Sequence, residues 1–468
     1  FDDVAASGTL FGPFTPVDRL YKGMRKYFPG EVPKEAFDDK MMALMKKALN
    51  AVYITKYDHL KNFGLCVGGS IFWARPEELG IEVMLAGNSA IEGPIAWSTG
   101  STEKLALEHA MERWIPTWLL VRGRRVAEIP PAPKVMCLYF PQYHQFEEND
   151  RFWGTGFTEW TLLRETDPLE IKHPLDSSKG GLGWYDLENV HVRQKQEQLA
   201  KAHGVHGFVY YHYWFSGPQA PKHHKVMYKV LEAMLADGKP DMPFMLSWAN
   251  EPWTRTWTGG NSSGEIMLSQ TYDQKDWEEH FQYLCRFFDH PNYIRHEGAP
   301  VLALYRIELM GKILGPMLTV WRQLAVQHGL SGLHVINTLG NFVFTGTNGP
   351  ADTSGLDGAF HFWPGIRASW PIPRSECASS EDFPLPNETT QYWGSYAGFD
   401  RRPRAPNETA LFKVGVNSFA RGLKKSFTKM AQESRSVVPN FFFHNAWNEW
   451  NEQAVLEPDT LNGFGKLD

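Results

Sequence analysis

Beyond Pro133 the chain repeats one pattern eight times: a short apolar or aromatic run, then, in most repeats, a segment long enough for a helix. The runs fall at residues 135–140, 207–213, 243–249, 301–305, 334–338, 358–362, 392–399 and 440–446. Helical patterning occupies 190–203, 224–237, 274–289, 310–328 and 418–433, and Gly204, Gly238 and Gly329 stand where three of these helices should stop. Alternating strands and helices imply parallel strands, because each crossover returns the chain to the same end of the sheet. Eight such units predict an α/β fold, a (β/α)8 barrel of the TIM type. The runs at 358 and 392 are weakly patterned and no eighth helix follows the last run, so an open doubly wound sheet is the competing architecture.

Residues 1–133 have a different texture, with helix-like stretches at 34–50 and 102–114 and no cluster of catalytic residue types. The stiff run Ile129-Pro130-Pro131-Ala132-Pro133 cannot continue a helix and marks a boundary. The expected organisation is a mostly helical accessory region at 1–133 and a catalytic barrel at 134–468.

Charge excludes one class of partner. Lys and Arg number 47 against 53 Asp and Glu, with no long basic run, so nucleic acid is not expected. Aromatics make up 14% of the chain, 18 of them Trp, and flat aromatic faces suit the apolar faces of sugar rings. Cys66, Cys137, Cys285 and Cys377 are widely spaced without a CxxC pair, which argues against a zinc site or disulfide scaffold. Cys137, inside an apolar run, reads as a core residue. No stretch approaches the roughly 20 apolar residues of a membrane span. The chain begins at Phe1 rather than Met, which points to a processed or excised product. Sequons at Asn261, Asn387 and Asn407 would suit a secretory or extracellular setting.

Unusual residues gather at the C-terminal ends of the predicted strands, the face on which barrel enzymes build their sites. Tyr143, His144, Glu159 and Trp160 follow the first strand, and Tyr211, His212 and Trp214 end the second. Trp248, Asn250, Glu251, Trp253 and Arg255 follow the third, and Trp447, Asn448 and Trp450 the eighth. Aromatic surface beside hydrogen-bonding groups is what sugar recognition needs, so these are the candidate substrate-binding residues. Each also has a plainer reading. His212 reads equally as a core histidine, and Trp214, Trp253 and Trp363 as packing residues. Glu159 could pair with Arg164 and Glu251 with Arg255.

The sharpest signal is Asn448-Glu449-Trp450-Asn451-Glu452-Gln453, directly after the Phe-rich run 441–443. Two carboxylates three residues apart at a strand end can divide glycosidic chemistry between an acid and a base. Glu449 and Glu452 are the candidate catalytic pair.

From Val135 to Asp459 the chain resembles the WbsX-type proteins, a family related to glycoside hydrolase family 99. The resemblance rests on Tyr139-Phe140-Pro141-Gln142-Tyr143-His144, Gly156-Phe157-Thr158-Glu159-Trp160, Tyr210-Tyr211-His212-Tyr213-Trp214-Phe215, Trp248-Ala249-Asn250-Glu251 and Ala446-Trp447-Asn448-Glu449-Trp450 with Glu452. It implies a (β/α)8 barrel and a retaining glycoside hydrolase acting on an α-linked polysaccharide or glycan, with carbohydrate as partner and no metal or other cofactor. By the same carry-over Glu449 is the base on the sugar 2-hydroxyl, which closes on the anomeric carbon as an epoxide-like intermediate. Glu452 is then the general acid/base, with a raised pKa beside an ionised Glu449. The chain departs from the family pattern at Asn451, at Gln453 where a Gly is usual, and at Pro252 where an Asn often follows the Glu251 position. The alternatives are a WbsX-type glycosyltransferase in polysaccharide synthesis and a carbohydrate-binding protein without turnover. Against the transferase, no Asp-x-Asp metal motif or Gly-rich phosphate loop is found.

Overall fold

The computed structural model describes residues 133–254, 265–340, 351–362, 392–406, 411–432 and 440–468, with four short strands nearer the N-terminus. Its contacts divide the chain into two compact units, Phe1–Pro131 and Ala132–Asp468. In the first unit the described strands form one sheet, in the spatial order Gly64–Val67, Ser70–Ala74, Val4–Ser7 and Arg125–Ala127. The helix-like stretches at 34–50 and 102–114 lie outside the described residues.

The second unit is a parallel barrel. Its strands are β1 (Lys134–Tyr139), β2 (Val205–Trp214), β3 (Phe244–Trp248), β4 (Ala299–Leu304), β5 (His334–Leu339), β6 (Gly358–His361), β7 (Trp393–Tyr396) and β8 (Phe441–Asn445). Neighbours in sequence are neighbours in space from β1 to β6, and β8 pairs with both β1 and β7. The ring nearly closes between β6 and β7, where Tyr392 N donates to Ala359 O at 3.3 Å. Beside that seam the Phe360 and Phe443 rings stack with centroids 4.1 Å apart.

Parallel strands with helices outside are buried on both faces, which is why their sequences read as continuous apolar runs. Register puts Met136, Val209, Met245, Ala303, Ile336, Phe360 and Phe443 on the interior face, and all are buried. The described helices are α1 (Glu147–Trp153), α2 (Glu159–Arg164), α3 (Val190–Ala202), α4 (Lys229–Asp237), α5 (Gln274–Phe288), α6 (Leu314–Gln327) and α7 (Val416–Gln432). On α5 the buried Trp277, Phe281, Leu284, Cys285 and Phe288 recur at helical spacing and form its sheet-facing stripe. The Asp273 side chain caps that helix by accepting from Asp276 N at 3.0 Å. At the end of α4, Gly238 takes φ 67° and its N–H donates to Met234 O at 2.9 Å, a left-handed stop that a side chain would strain. Among the described residues no eighth helix follows β8. A 3-10 turn, Trp450–Glu452, and a short antiparallel pair, Asn448–Glu449 with Ala454–Val455, occupy that place.

Cys137 and Cys285 are free and buried. Among the described residues no helix is long and apolar enough to cross a membrane.

Candidate active site

The chain leaves β8 under tight control. Asn448 clamps the end of β1, accepting from Phe140 N at 2.8 Å and donating to Phe140 O at 3.0 Å. Asn250, at the end of β3, does the same to the end of β4, accepting from Arg306 N at 2.7 Å and donating to Arg306 O at 2.8 Å. In each case the asparagine is spent on the barrel wall and the glutamate that follows it stands at the mouth. Trp450 N donates to the Tyr143 hydroxyl at 3.1 Å, and Trp450 Nε1 donates to Glu457 at 2.9 Å. Glu457 also accepts from Tyr185 at 2.8 Å and Gln196 at 2.7 Å, and burial pushes its carboxyl up to about 7.

Gln453 ends the 3-10 turn at φ 56°, the left-handed region that a glycine would occupy freely. Its amide compensates: Oε1 accepts from Lys172 N at 2.6 Å, while Nε2 donates to Lys172 O at 3.1 Å and Trp450 O at 2.8 Å. The departure from glycine therefore keeps the turn and ties it to a neighbouring segment. Asn451 ties the same turn to α2, donating to Glu159 O at 2.7 Å and to the Glu159 carboxylate. Gln453→Ala is expected to lower stability by about 1–3 kcal/mol, since the strain stays and the bonds go. Gln453→Gly should lower it less. Thermal unfolding of both variants checks this, and a Gly variant more stable than the parent would show that the amide's bonds do not offset the strain of the left-handed backbone.

The turn aims its acids at one guanidinium. Arg404 donates to Glu452 Oε1 at 2.8 Å, to Glu159 Oε2 at 3.0 Å and to Glu449 Oε2 at 3.4 Å. Side-chain exposure is 3% for Arg404, 4% for Glu159, 7% for Glu449 and 17% for Glu452. Burial pushes the Glu449 carboxyl well above its ordinary value; Arg404 opposes the rise, and Glu452 and Glu159 add to it. Burial therefore favours the protonated form of Glu449. Arg404 itself rests over the Phe140 ring, 5.5 Å from its centroid.

Around the cluster stand Tyr211, Tyr213 and Tyr305, whose phenols burial and then their neighbours hold well above the ordinary value, so they remain neutral donors. Tyr211 meets Tyr305 edge-on at 5.7 Å and Phe140 at 6.2 Å. Glu251 pairs with Arg306 at 2.9 Å; burial raises its pKa against that pairing, with Glu452 adding to the rise. A small cavity beside Arg404 and Glu159 is lined by Trp253, Gln142, Trp153 and Phe157. Trp160 backs this wall, 4.2 Å from Tyr143 by ring centroids, with its Nε1 donating to Tyr185 O at 2.7 Å. Among the described residues no group of His, Cys, Asp and Glu is arranged to hold a metal.

Several expected binding residues lie elsewhere. His212 hydrogen-bonds His280 of α5 at 2.8 Å, Trp214 Nε1 donates to Asp276 of the same helix at 2.8 Å, and Trp248 packs on His280 and Trp321. Side chains alternate along a strand, so with Tyr211 and Tyr213 at the mouth, residues 212 and 214 must face the helices. Burial lowers the His212 pKa to about 3, which leaves it neutral in that layer. Trp447 is buried against Phe208 at 5.2 Å, also behind the strands. His144 is buried beside Phe146, its pKa lowered by burial to about 4. Arg255, Trp363 and the sequons at Asn261, Asn387 and Asn407 lie outside the described residues. Arg404 was not among the expected residues. The signal available for it was the short basic cluster Arg401-Arg402-Pro403-Arg404 just after the seventh run.

A family model described as Glycosyltransferase WbsX matches residues 135–383 and 375–468. An Uncharacterized protein WxcX from Xanthomonas campestris pv. campestris (strain B100) is 29% identical over 369 residues, covering 74% of this chain and 50% of that protein. The chain thus spans about half the length of this relative. Among solved structures, a Glycoside hydrolase-like protein overlays with a TM-score of 0.45 at 12% identity, covering 73% of this chain and 94% of the other. The GH99 endo-alpha-mannosidase from Bacteroides thetaiotaomicron overlays with a TM-score of 0.38 at 13% identity, covering 70% of this chain and 88% of the other. Overlaps this partial carry no argument about chemistry. The family model, by contrast, extends from the first barrel strand to the last residue, and the chain belongs to the WbsX family.

Proposed function

We propose that the chain is a retaining glycoside hydrolase acting on an α-linked polysaccharide or glycan, with Glu449 and Glu452 dividing base and acid duties. The observation that supports this best is the meeting of Glu159, Glu449 and Glu452 on Arg404 at the barrel mouth. Three acids against one guanidinium, enclosed by tyrosines, retain a proton that an isolated surface pair would lose. Such a cluster holds both forms of carboxyl that glycosidic cleavage needs.

In the proposed reaction Glu449 takes the proton of the sugar 2-hydroxyl as that oxygen bonds to the anomeric carbon. The glycosidic bond breaks, and Glu452 protonates the departing oxygen. Water then attacks the same carbon, giving its proton to Glu452, while the anomeric bond to the 2-oxygen opens and that oxygen recovers its proton from Glu449. Two displacements at one carbon retain its configuration. The internal nucleophile is already adjacent, so positioning supplies much of the rate.

The base must be ionised to act, and burial raises the Glu449 pKa. Activity is therefore expected to fall as pH drops through a value above the ordinary carboxylate range. The acidic limb of kcat/KM against pH measures it, and a limb near the unperturbed Glu value would contradict this placement of the base. The function itself is tested by reducing-end release across α-linked polysaccharides, with proton NMR of the first anomer formed. Inversion would exclude the 2-hydroxyl route. Sugar transfer that requires a nucleotide-linked donor would favour the transferase reading that the family description carries.

A further inference from the structure

A second cavity, of about 700 Å³, lies behind the turn that carries Glu452 and is lined by Lys172, Gln453, Lys466, Arg402, Phe399 and Phe412, among others. Lys172 and Lys466 are each only 8% exposed. Both line the same cavity, where the charge of Lys172 disfavours that of Lys466. Each donates to a backbone carbonyl, Lys172 to Gln453 O and Lys466 to Ala397 O. Among the described residues no carboxylate lies within ion-pair distance of either ammonium, and the carboxylate of Asp459, which favours both charges from farther off, accepts from Leu461 N, Asn462 N and Asn462 Nδ2. Lining basic residues are Lys172, Arg402, Lys413 and Lys466 and lining acids are Glu170 and Asp400, so with all four bases protonated 4 against 2 leaves an excess of two positive charges. Both acids are already spent on Arg402, at 2.7 and 2.8 Å.

Two buried lysines on one cavity, with no carboxylate in ion-pair contact, hold their charges only at a cost that an anion between them would offset. A carbonyl satisfies one of the three donors on each. We propose that this cavity is an anion site that takes a phosphate group, free or borne on a sugar, between Lys172 and Lys466. A tetrahedral oxyanion offers several acceptor oxygens to donors on more than one side, which suits two ammoniums with Lys413 at the rim. The cavity is far larger than one phosphate, and Phe399 and Phe412 give it apolar wall for an attached ring. Burial and Lys172 push Lys466 down to about 6, against Asp459, and a bound anion would restore its charge. Lys172 also brackets the Gln453 amide with its own backbone, so an occupant reaches the turn that aims Glu452. This site does not depend on the hydrolase reading, and failure of that reading leaves phosphate binding intact.

Titration calorimetry of the full chain with inorganic phosphate, a hexose 6-phosphate and the free hexose tests the site. Saturable binding of either phosphate with a silent free hexose is expected, and binding of the hexose phosphate at least about tenfold tighter assigns the group to a sugar. Lys466→Met should weaken binding by about tenfold or more. If that variant does not fold, Lys413→Glu, an exposed change, should still weaken it severalfold. No heat and no thermal stabilisation with either phosphate, or variants that bind as the parent does, would overturn the assignment and leave the two lysines as struts.

Discussion

Glu452→Gln is expected to lose about 10²–10⁴-fold in turnover on a glycoside with a poor leaving group and to recover most of it on a glycosyl fluoride, whose departure needs no proton. Glu449→Gln should stay inactive on both. The difference follows from the division of labour: an acid is dispensable when the leaving group is already good, whereas a base on the 2-hydroxyl is needed for any leaving group. Glutamine keeps the volume and one oxygen for Arg404, which stands 2.8 Å from Glu452 and 3.4 Å from Glu449, so the cluster should keep its geometry. Rescue of the Glu449 variant instead would exchange the two roles. That outcome has a physical basis, because burial raises the Glu449 pKa and so favours its protonated form. Parent-like rates in both variants would remove the pair from the reaction.

What the sequence allowed to be read follows the physics of each feature. All eight strand runs became barrel strands, because parallel strands under helices need unbroken apolar segments. The same property hid which side chains face the mouth. In β2, a run from Tyr210 to Trp214 that is buried on both faces carries no polar alternation to separate Tyr211 and Tyr213 from His212 and Trp214. The two Asn-Glu pairs were visible as motifs, but the work of Asn250 and Asn448 was not, since each bonds the backbone of a strand distant in sequence. Gln453 looked like a lost glycine. Its left-handed backbone became intelligible only when Lys172, 281 positions away, appeared as its partner. Arg404 was hidden for the same reason: a guanidinium in a loop after β7 has no local pattern, and its meaning lies in three acids from two other parts of the barrel.

Arg404→Met should be the most damaging single change at the site. It removes the guanidinium that hydrogen-bonds the Glu449 carboxylate and one of the partners of Glu159, leaving buried charge uncompensated. Breaking a buried ion pair from one side typically costs about 3–5 kcal/mol, and turnover should vanish with the geometry. The penalty has a pH signature. Arg404 opposes the rise that burial causes in the Glu449 pKa, so without the guanidinium the folded-state value of Glu449 rises further above its unfolded one and its protonated form is the stable one. A group raised in this way contributes stability below its unfolded pKa and loses it as pH rises through the folded value. The gap in melting temperature between variant and parent should therefore be small near pH 4 and widen toward pH 7. Arg404→Lys separates charge from shape: it keeps one positive charge but cannot reach three carboxylates with one planar fork, so it should restore part of the stability at pH 7 and little of the activity. Equal melting temperatures for Arg404→Met and the parent at pH 7 would mean that the three acids do not depend on this guanidinium, and the electrostatic account of the cluster would fall with that result.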